Sequence, residues 1–374
     1  MKIAFQKIRQ IRLPFCSENF TPAISLPSSN SIILEIETQE GIRAFGECIP
    51  QWEINGESNL SVISDLRQIA PILKKMDFQD VLEIQDFICE EIADLIGESS
   101  LCALEMALIS AFAQEKELNI PDLLQTRLPE EVDYSGVIPL IDLRKQPQIL
   151  EKYSWKKVKL KLNQDLSLGL SNIQILRDAW GEELEIQIDL QGSWSSQEAL
   201  EQIPAYLELG VQRFEQAFSQ DQDLLMRKLQ KHYADEAVFV ADESLKSIKD
   251  AVRLIKTEAC KGFNLKLSKL GGLFSSLRIY RMARKYGISC ELGMYPGESS
   301  LLRYTGIIFA SLAPELHLLE GALANQLLSQ DICHKKICAD SHGKLTNSQE
   351  LEGITQKVDS LRLDKYSSHL DYVA

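Results

Sequence analysis

From about Tyr134 onward the chain repeats one pattern, a short apolar segment followed by an amphipathic stretch, and the pattern returns every ~25 residues, the length of one βα unit. The apolar segments are SGVIPL, KVKLKL, EIQIDL, VQRFE, AVFVAD, GFNLKL, ISCELG and LHLLEG. The stretches between them predict helices over 166–180, 196–209, 222–234, 245–258, 273–286 and 299–312. Such reiteration favours a parallel sheet closed on itself. An open dinucleotide-binding sheet would need a glycine-rich phosphate loop after an early strand, and none is present. The fold class expected is therefore α/β, a (β/α)7β TIM-like barrel over residues 131–325.

A chain of 374 residues has room for more than the barrel. Near the amino terminus SIILEIET alternates apolar and polar residues, turns at Gln39-Glu40-Gly41 and returns as IRAFGEC, which reads as a strand hairpin. Helical periodicity follows over 63–96, and ESSLCALEMALISAFAQE is rich in helix-forming Ala, Leu and Met. Residues 1–130 are expected to form an α+β capping domain. After Gly321 the alternation fades into a polar segment with Asp340, His342, Gly343 and Asn347, so residues 326–374 should pack back on the cap.

Charge narrows the partners. Lys and Arg number 40 against 54 Asp and Glu, a net charge of −14, which argues against a nucleic-acid surface. The start MKIAFQKIRQIRLPF interrupts its apolar residues with Lys and Arg, and no segment has membrane-spanning length. The 8 cysteines are scattered without zinc-type pairing, which suits free thiols in a reducing cytoplasm. A small-molecule substrate is expected, with no nucleic acid or membrane partner, and a homo-oligomer as the assembly.

Catalytic groups of a parallel barrel sit where strands end. Here the second strand carries Lys159 and Lys161, the third ends at Asp189, the fourth at Glu215, the fifth at Asp242-Glu243, and the sixth carries Lys266. Two-residue spacing puts both lysines of the second strand on one face. One strand-end carboxylate is ordinarily a helix cap or a solvated loop residue, but three at successive strand ends repel one another unless a cation joins them. Oxygen-only ligation suits Mg2+, with Mn2+ as the substitute. Lysines on strands of Val and Leu are costly to bury, and neighbouring cations would lower their pKa values towards those of usable bases. Lys156, Lys157 and Lys269 read as solvated or structural charges.

These segments carry a resemblance. WKKVKLKL resembles the Lys-x-Lys strand of the enolase superfamily in its muconate-lactonizing (mandelate racemase/muconate lactonizing enzyme) subgroup, and IQIDLQGSW resembles its Asp-x-Asn metal strand. RFEQAF is similar to the Glu-Gln-Pro strand, VFVADES to the Asp-Glu-Ser segment, and FNLKLSKLGGL to the Asn-x-Lys segment with its trailing glycines. GECIP, LCALEMALISAF and GESS extend the likeness over nearly the whole chain. By resemblance, Asp189, Glu215 and Asp242 are magnesium ligands, and Glu243 is a carboxylate behind them. Lys161 and Lys266 are the opposed acid and base, Lys159 supports Lys161 and touches the substrate carboxylate, and Glu298 is the active-site glutamate after the seventh strand. Gln191 stands where the family has Asn, Ala217 where it has Pro, and Leu318-Leu319-Glu320 where the dipeptide epimerases carry Asp-x-Asp.

The resemblance implies metal-assisted removal of a proton α to a carboxylate through an enediolate. A racemase or epimerase of an amino-acid derivative or dipeptide is the leading expectation. The alternatives are o-succinylbenzoate synthase-type syn-dehydration, which would make the chain a lyase, and muconate cycloisomerisation; a non-enzymatic scaffold is disfavoured by the retained ligands and lysines. His232, His317, His334, His342 and His369 fall away from the strand ends, so a histidine base is not expected. Cap loops 15–24 and 51–57 should reach the distal end of the substrate, with Phe15 and Trp52 as contacts.

Overall fold

The structure, a computed structural model, describes residues 1–16, 27–323 and 327–373. Strand β1 (Ile3–Ile11) pairs antiparallel with β2 (Ser31–Thr38), which pairs antiparallel with β3 (Arg43–Cys48). The hairpin read from the sequence is β2 and β3; β1 is an addition, hidden because Lys7 and Arg9 break its apolar pattern. Arg9 is nevertheless buried, its guanidinium 3.6 Å from Glu35 on β2. Glu35 also accepts from Arg43 Nε at 2.8 Å. Every residue of β2 but Glu37 is buried, beneath the helices and this ion cluster.

Helix Glu98–Glu115 lies against the hairpin and is buried continuously from Ser99 to Ala113. Its approach depends on Gly46 of β3, where a Cβ would come 1.9 Å from the Ala103 carbonyl oxygen. Helical periodicity over 63–96 resolves into Asn59–Leu73 and Val81–Asp86 with a turn between them.

After β4 (Glu131–Asp133) the chain enters the barrel. Its strands are β5 (Gly136–Ile138), β6 (Lys157–Lys161), β7 (Glu185–Asp189), β8 (Arg213–Glu215), β9 (Val238–Ala241), β10 (Gly262–Leu265), β11 (Ser289–Leu292) and β12 (Leu316–Leu319). They form one 8-stranded parallel sheet in sequence order, and each is separated from the next by at least one helix. Ser135 closes the ring, its N–H donating to Leu319 O at 2.7 Å in a parallel bridge with Glu320. The TIM-like barrel expected from the repeat is the fold observed. Beyond it, β13 (Lys344–Thr346) pairs with β4, and β14 (Ser367–Val373) joins the cap sheet alongside β1. Among the described residues no helix is long and apolar enough to cross a membrane.

Candidate active site

Register decides which side chains share a layer of the barrel. Lys161 stands opposite Asp189, and Asp189 opposite Glu215, at the carboxyl ends of β6, β7 and β8. One layer down the same three strands align Lys159, Gln187 and Arg213. Period-two alternation points both layers inward.

In the upper layer the Lys161 ammonium lies 3.0 Å from Asp189 Oδ2, and its side chain is 31% exposed. Glu215 is fully buried and accepts from Gln187 Nε2 at 2.6 Å and Asn264 Nδ2 at 2.8 Å, besides its ion pair with Lys159. Burial, only partly offset by Lys159 and reinforced by Asp189, Glu291 and Asp242, pushes the Glu215 carboxyl well above the usual range. Asp242 follows β9 and pairs with Lys266 and, at 2.6 Å, with Lys269. Burial would raise its pKa, but the charges of Lys266, Lys269 and Lys159 hold it far below the ordinary value. Gln216 fastens this loop, its amide oxygen accepting from Asp242 N at 3.0 Å and Ser244 N at 3.1 Å.

Lys159 is only 2% exposed. It sits within a cage of Glu215, Glu320 at 2.5 Å and Glu291 at 3.2 Å. Those three carboxylates bring one oxygen each within 4.8 Å of one another, so they resemble a metal cluster by geometry alone, but the ammonium already fills the space between them.

The lysine pKa values run opposite to the expectation. Burial lowers them as anticipated, yet Glu215, Glu320 and Glu291 raise Lys159 well above its usual value, and Asp189 outweighs burial at Lys161. At Lys266 burial is the largest single effect, and Asp242 together with Tyr295, Glu320 and Glu215 overcomes it and raises the pKa well above its usual value. Counter-carboxylates, not neighbouring cations, dominate. Lys269 is not solvated: it is fully buried and donates to Asp242 O at 2.7 Å and Asn264 O at 3.1 Å, and here burial wins and lowers its pKa.

Glu291 and Tyr295 escaped the sequence reading. Glu291 of β11 pairs with Lys159 and with Arg213 at 3.5 Å, and accepts from Gln187 Nε2 at 2.7 Å. The Tyr295 ring lies 5.3 Å from the Lys266 ammonium, a cation–π placement. Glu298 is buried beside it, accepts from Tyr295 N at 2.8 Å, and is pushed up to about 8 by burial. Glu243 is raised to about 7 by burial and by the charges of Asp242 and Asp189. Gln191, next to Asp189, adopts a left-handed φ of 50° and donates its N–H to Asp189 Oδ1 at 3.1 Å. Trp52 is 71% exposed, while Phe15 is partly buried and bridged to Leu328. Residues 17–24 of the first cap loop lie outside the described residues. Of the histidines, His317 is half-buried with Glu185 3.8 Å away, and burial pushes it down to about 4.

A family model described as Enolase C-terminal domain-like matches residues 142–352, more than half of the chain. The chain belongs to the enolase superfamily. Among its superfamily relatives is the hydrophobic dipeptide epimerase of Enterococcus faecalis, 24% identical over 308 residues, which cover 80% of this chain and 84% of that one. The N-succinyl-L-Arg/Lys racemase of Bacillus cereus is 24% identical over 298 residues, 78% of this chain and 80% of the relative. The crystal structure of the dipeptide epimerase from Cytophaga hutchinsonii complexed with Mg and the dipeptide D-Ala-L-Val superposes with a TM-score of 0.84 at 23% identity, covering 100% of both chains. These superfamily relatives are racemases and epimerases, enzymes of the class that the resemblance implied.

Proposed function

We propose that this enolase-superfamily chain is a magnesium-dependent racemase or epimerase that removes and returns the proton on the carbon next to a substrate carboxylate. The observation that carries the reading is the placement of Lys161 and Lys266 on opposed strands of the barrel. Each is paired to an outer member of the series Asp189, Glu215, Asp242. A carbon held over that series meets a lysine on either side. One lysine, deprotonated, takes the proton, and the other, protonated, delivers one.

The donor set suits a hard divalent cation, because Asp189, Glu215 and Asp242 offer only oxygen. Glu215 and Glu243 are both raised by burial and by surrounding negative charge, and the buried Glu243 Oε2 has no hydrogen-bond partner. An excess of negative charge of this kind is what a cation offsets. Asp189, Glu215 and Asp242 would hold Mg2+, or Mn2+ in its place. When bound, such an ion supplies positive charge to the substrate carboxylate oxygens and so acidifies the neighbouring carbon. Gln187 and Asn264 hold Glu215 in orientation, and Lys269 fixes Asp242.

The mouth favours an N-acylated amino acid over a dipeptide with a free amino end. A cleft lined in part by Tyr134, Met294, Glu298, Arg303 and Glu320 runs beside β12. Within it Glu320 is paired with Lys159, Glu298 is held protonated near neutrality, and Leu319 presents a hydrocarbon side chain. A free ammonium would find little negative charge there. The test is α-proton exchange in deuterated buffer, with and without Mg2+, across N-acyl amino acids and dipeptides. Exchange that needs no divalent ion, or that occurs with no α-carboxylate substrate, sinks the proposal.

One observation favours a second reading, syn-dehydration of the o-succinylbenzoate synthase type. Lys266 is 8% exposed, paired to Asp242 and set over the Tyr295 ring, whereas the Lys161 side chain is 31% exposed. A buried, permanently charged Lys266 would serve as a fixed cation, leaving Lys161 as the one base. Water release from a hydroxylated substrate without exchange at any racemisable centre would select this reading.

A further inference from the structure

Glu105 is an anomaly in helix Glu98–Glu115, which is otherwise apolar or small from Ser99 to Ala113, because its carboxylate is fully buried. A buried carboxylate is costly unless hydrogen bonds repay it. Glu105 is satisfied across the domain boundary: it accepts from Leu273 N and, at 2.9 Å, from Phe274 N. Those are the first two residues of helix Leu273–Lys285, whose leading N–H groups have no partner within the helix. The contact requires glycine at 272, where a Cβ would come 2.4 Å from Glu105 Oε2 and where φ is +100°.

The segment so gripped begins at Lys266. Lys266 O accepts from Lys269 N at 3.0 Å and Leu270 N at 3.1 Å, and Leu267 O accepts from Gly272 N at 2.9 Å. The seven residues from the lysine to the helix start are thus one hydrogen-bonded turn. The cap holds the same turn at a second point: Ser268 Oγ accepts from Ile49 N at 2.8 Å and donates to Ile49 O at 3.2 Å. Ser99 Oγ donates to Ser268 O at 3.3 Å. Among the described residues the opposite lysine has no such link. Among the described residues, the hydrogen bonds of the segment after Lys161 run to barrel partners such as Ser193, Trp194 and Gln202.

We propose that Glu105 is a positioning residue through which the cap sets the Lys266 turn, so that only the proton transfers made by Lys266 depend on it. This rests on the two-lysine reading above. Overall racemisation needs both lysines and would fall in either case, so the informative quantity is α-proton exchange measured separately from each enantiomer.

The experiment follows that exchange by NMR in deuterated buffer with Mg2+ for wild type, Lys161→Ala, Lys266→Ala, Glu105→Gln, Ser268→Ala and Glu47→Gln. Glu105→Gln keeps the side-chain volume but replaces one acceptor with a donor. Misplacement of a catalytic group by a fraction of an ångström to one ångström costs on the order of tenfold to a hundredfold in rate. The loss expected for Glu105→Gln is therefore in kcat for the enantiomer that Lys266→Ala silences, with KM and the other enantiomer near wild type. Ser268→Ala should show the same one-sided loss, smaller in size, and it decides the matter if Glu105→Gln does not fold. Glu47 caps a different barrel helix, accepting from Ser299 N at 3.1 Å, so Glu47→Gln should not produce that one-sided pattern. Equal losses for both enantiomers, or none, in both Glu105→Gln and Ser268→Ala overturn the inference. If neither lysine variant is one-sided, the two-lysine reading has failed and takes this inference with it, a result visible without any cap variant.

Discussion

Lys161 and Asp189 face each other across the β6–β7 register, their charged atoms 3.0 Å apart at the open end of the barrel. The next register pair, Asp189 and Glu215, extends the row. A parallel sheet with no offset between these strands thus turns three separate sequence positions into one line of charge.

If Asp189, Glu215 and Asp242 hold Mg2+ as proposed, Glu215→Gln should abolish Mg2+ binding and reduce turnover by about a hundredfold or more, because one of the three carboxylates becomes a neutral amide. The fold should survive. Lys159 keeps Glu320 and Glu291 as partners after the change, so no buried ammonium is left alone. Calorimetric titration with Mg2+ and a thermal melt check both halves. Wild-type metal affinity in the variant contradicts the ligand assignment.

Lys161→Ala and Lys266→Ala separate the two chemistries. In a racemase or epimerase each variant should stop α-proton exchange from one enantiomer only, and the two should silence opposite enantiomers. In a syn-eliminating lyase Lys161→Ala should stop proton removal altogether, while Lys266→Ala slows it through loss of a stabilising cation. Both variants retaining wild-type exchange with both enantiomers would remove the lysines from the mechanism and direct the search to Glu298.

Substitution of Trp52 or Phe15 should change substrate preference more than chemistry. Trp52 is 71% exposed on the cap, an uncommon position for so large an apolar side chain. Phe15 lies near the loop after β11, where a Cβ on Gly297 would meet its ring at 3.4 Å. Trp52→Ala and Phe15→Ala should shift relative kcat/KM between short and long N-acyl groups by several-fold, on the scale of one buried methylene or more. A uniform change across substrates speaks against a specificity role.

The barrel and the row at its mouth were legible because both are local periodicities: the βα repeat, and carboxylates or lysines at strand ends. The same reasoning applied two residues earlier would have found Gln187 and Arg213, which share the inward face with Asp189 and Glu215. Glu291 was passed over inside ISCELG, and with it the compensation that raises Lys159. The sign of the lysine shifts could not be read from the lysine strands alone, since the deciding charges stand on other strands: Asp189 for Lys161, Asp242 with others for Lys266, and Glu215 with Glu320 and Glu291 for Lys159. Strand β1 was concealed by charges that pair only after folding, Arg9 with Glu35 above all. Glu47 and Glu105 carry no local signal, because their partners lie on barrel helices far along the chain.

The Glu47 carboxylate is buried, with Ser299 Oγ and the N–H groups of Ser299 and Leu302 as donors. Burial raises it from 4.5 to about 7; the hydrogen bonds from Ser299 and Leu302 oppose the shift, and the nearby Asp331 charge adds to it. The folded chain therefore holds this proton more tightly than the unfolded chain does. Its contribution to stability is fully present below about pH 4.5 and is lost as pH rises through about 7. A displacement of this size corresponds to on the order of 3 kcal/mol. Glu47→Gln removes the titration, so the stability of wild type relative to the variant should decline between pH 5 and pH 8 by up to about that amount. Chemical denaturation of both proteins across the range provides the measurement. A wild-type advantage that stays constant or grows with pH would mean that Glu47 is ionised in the folded protein throughout, held by the helix start it caps.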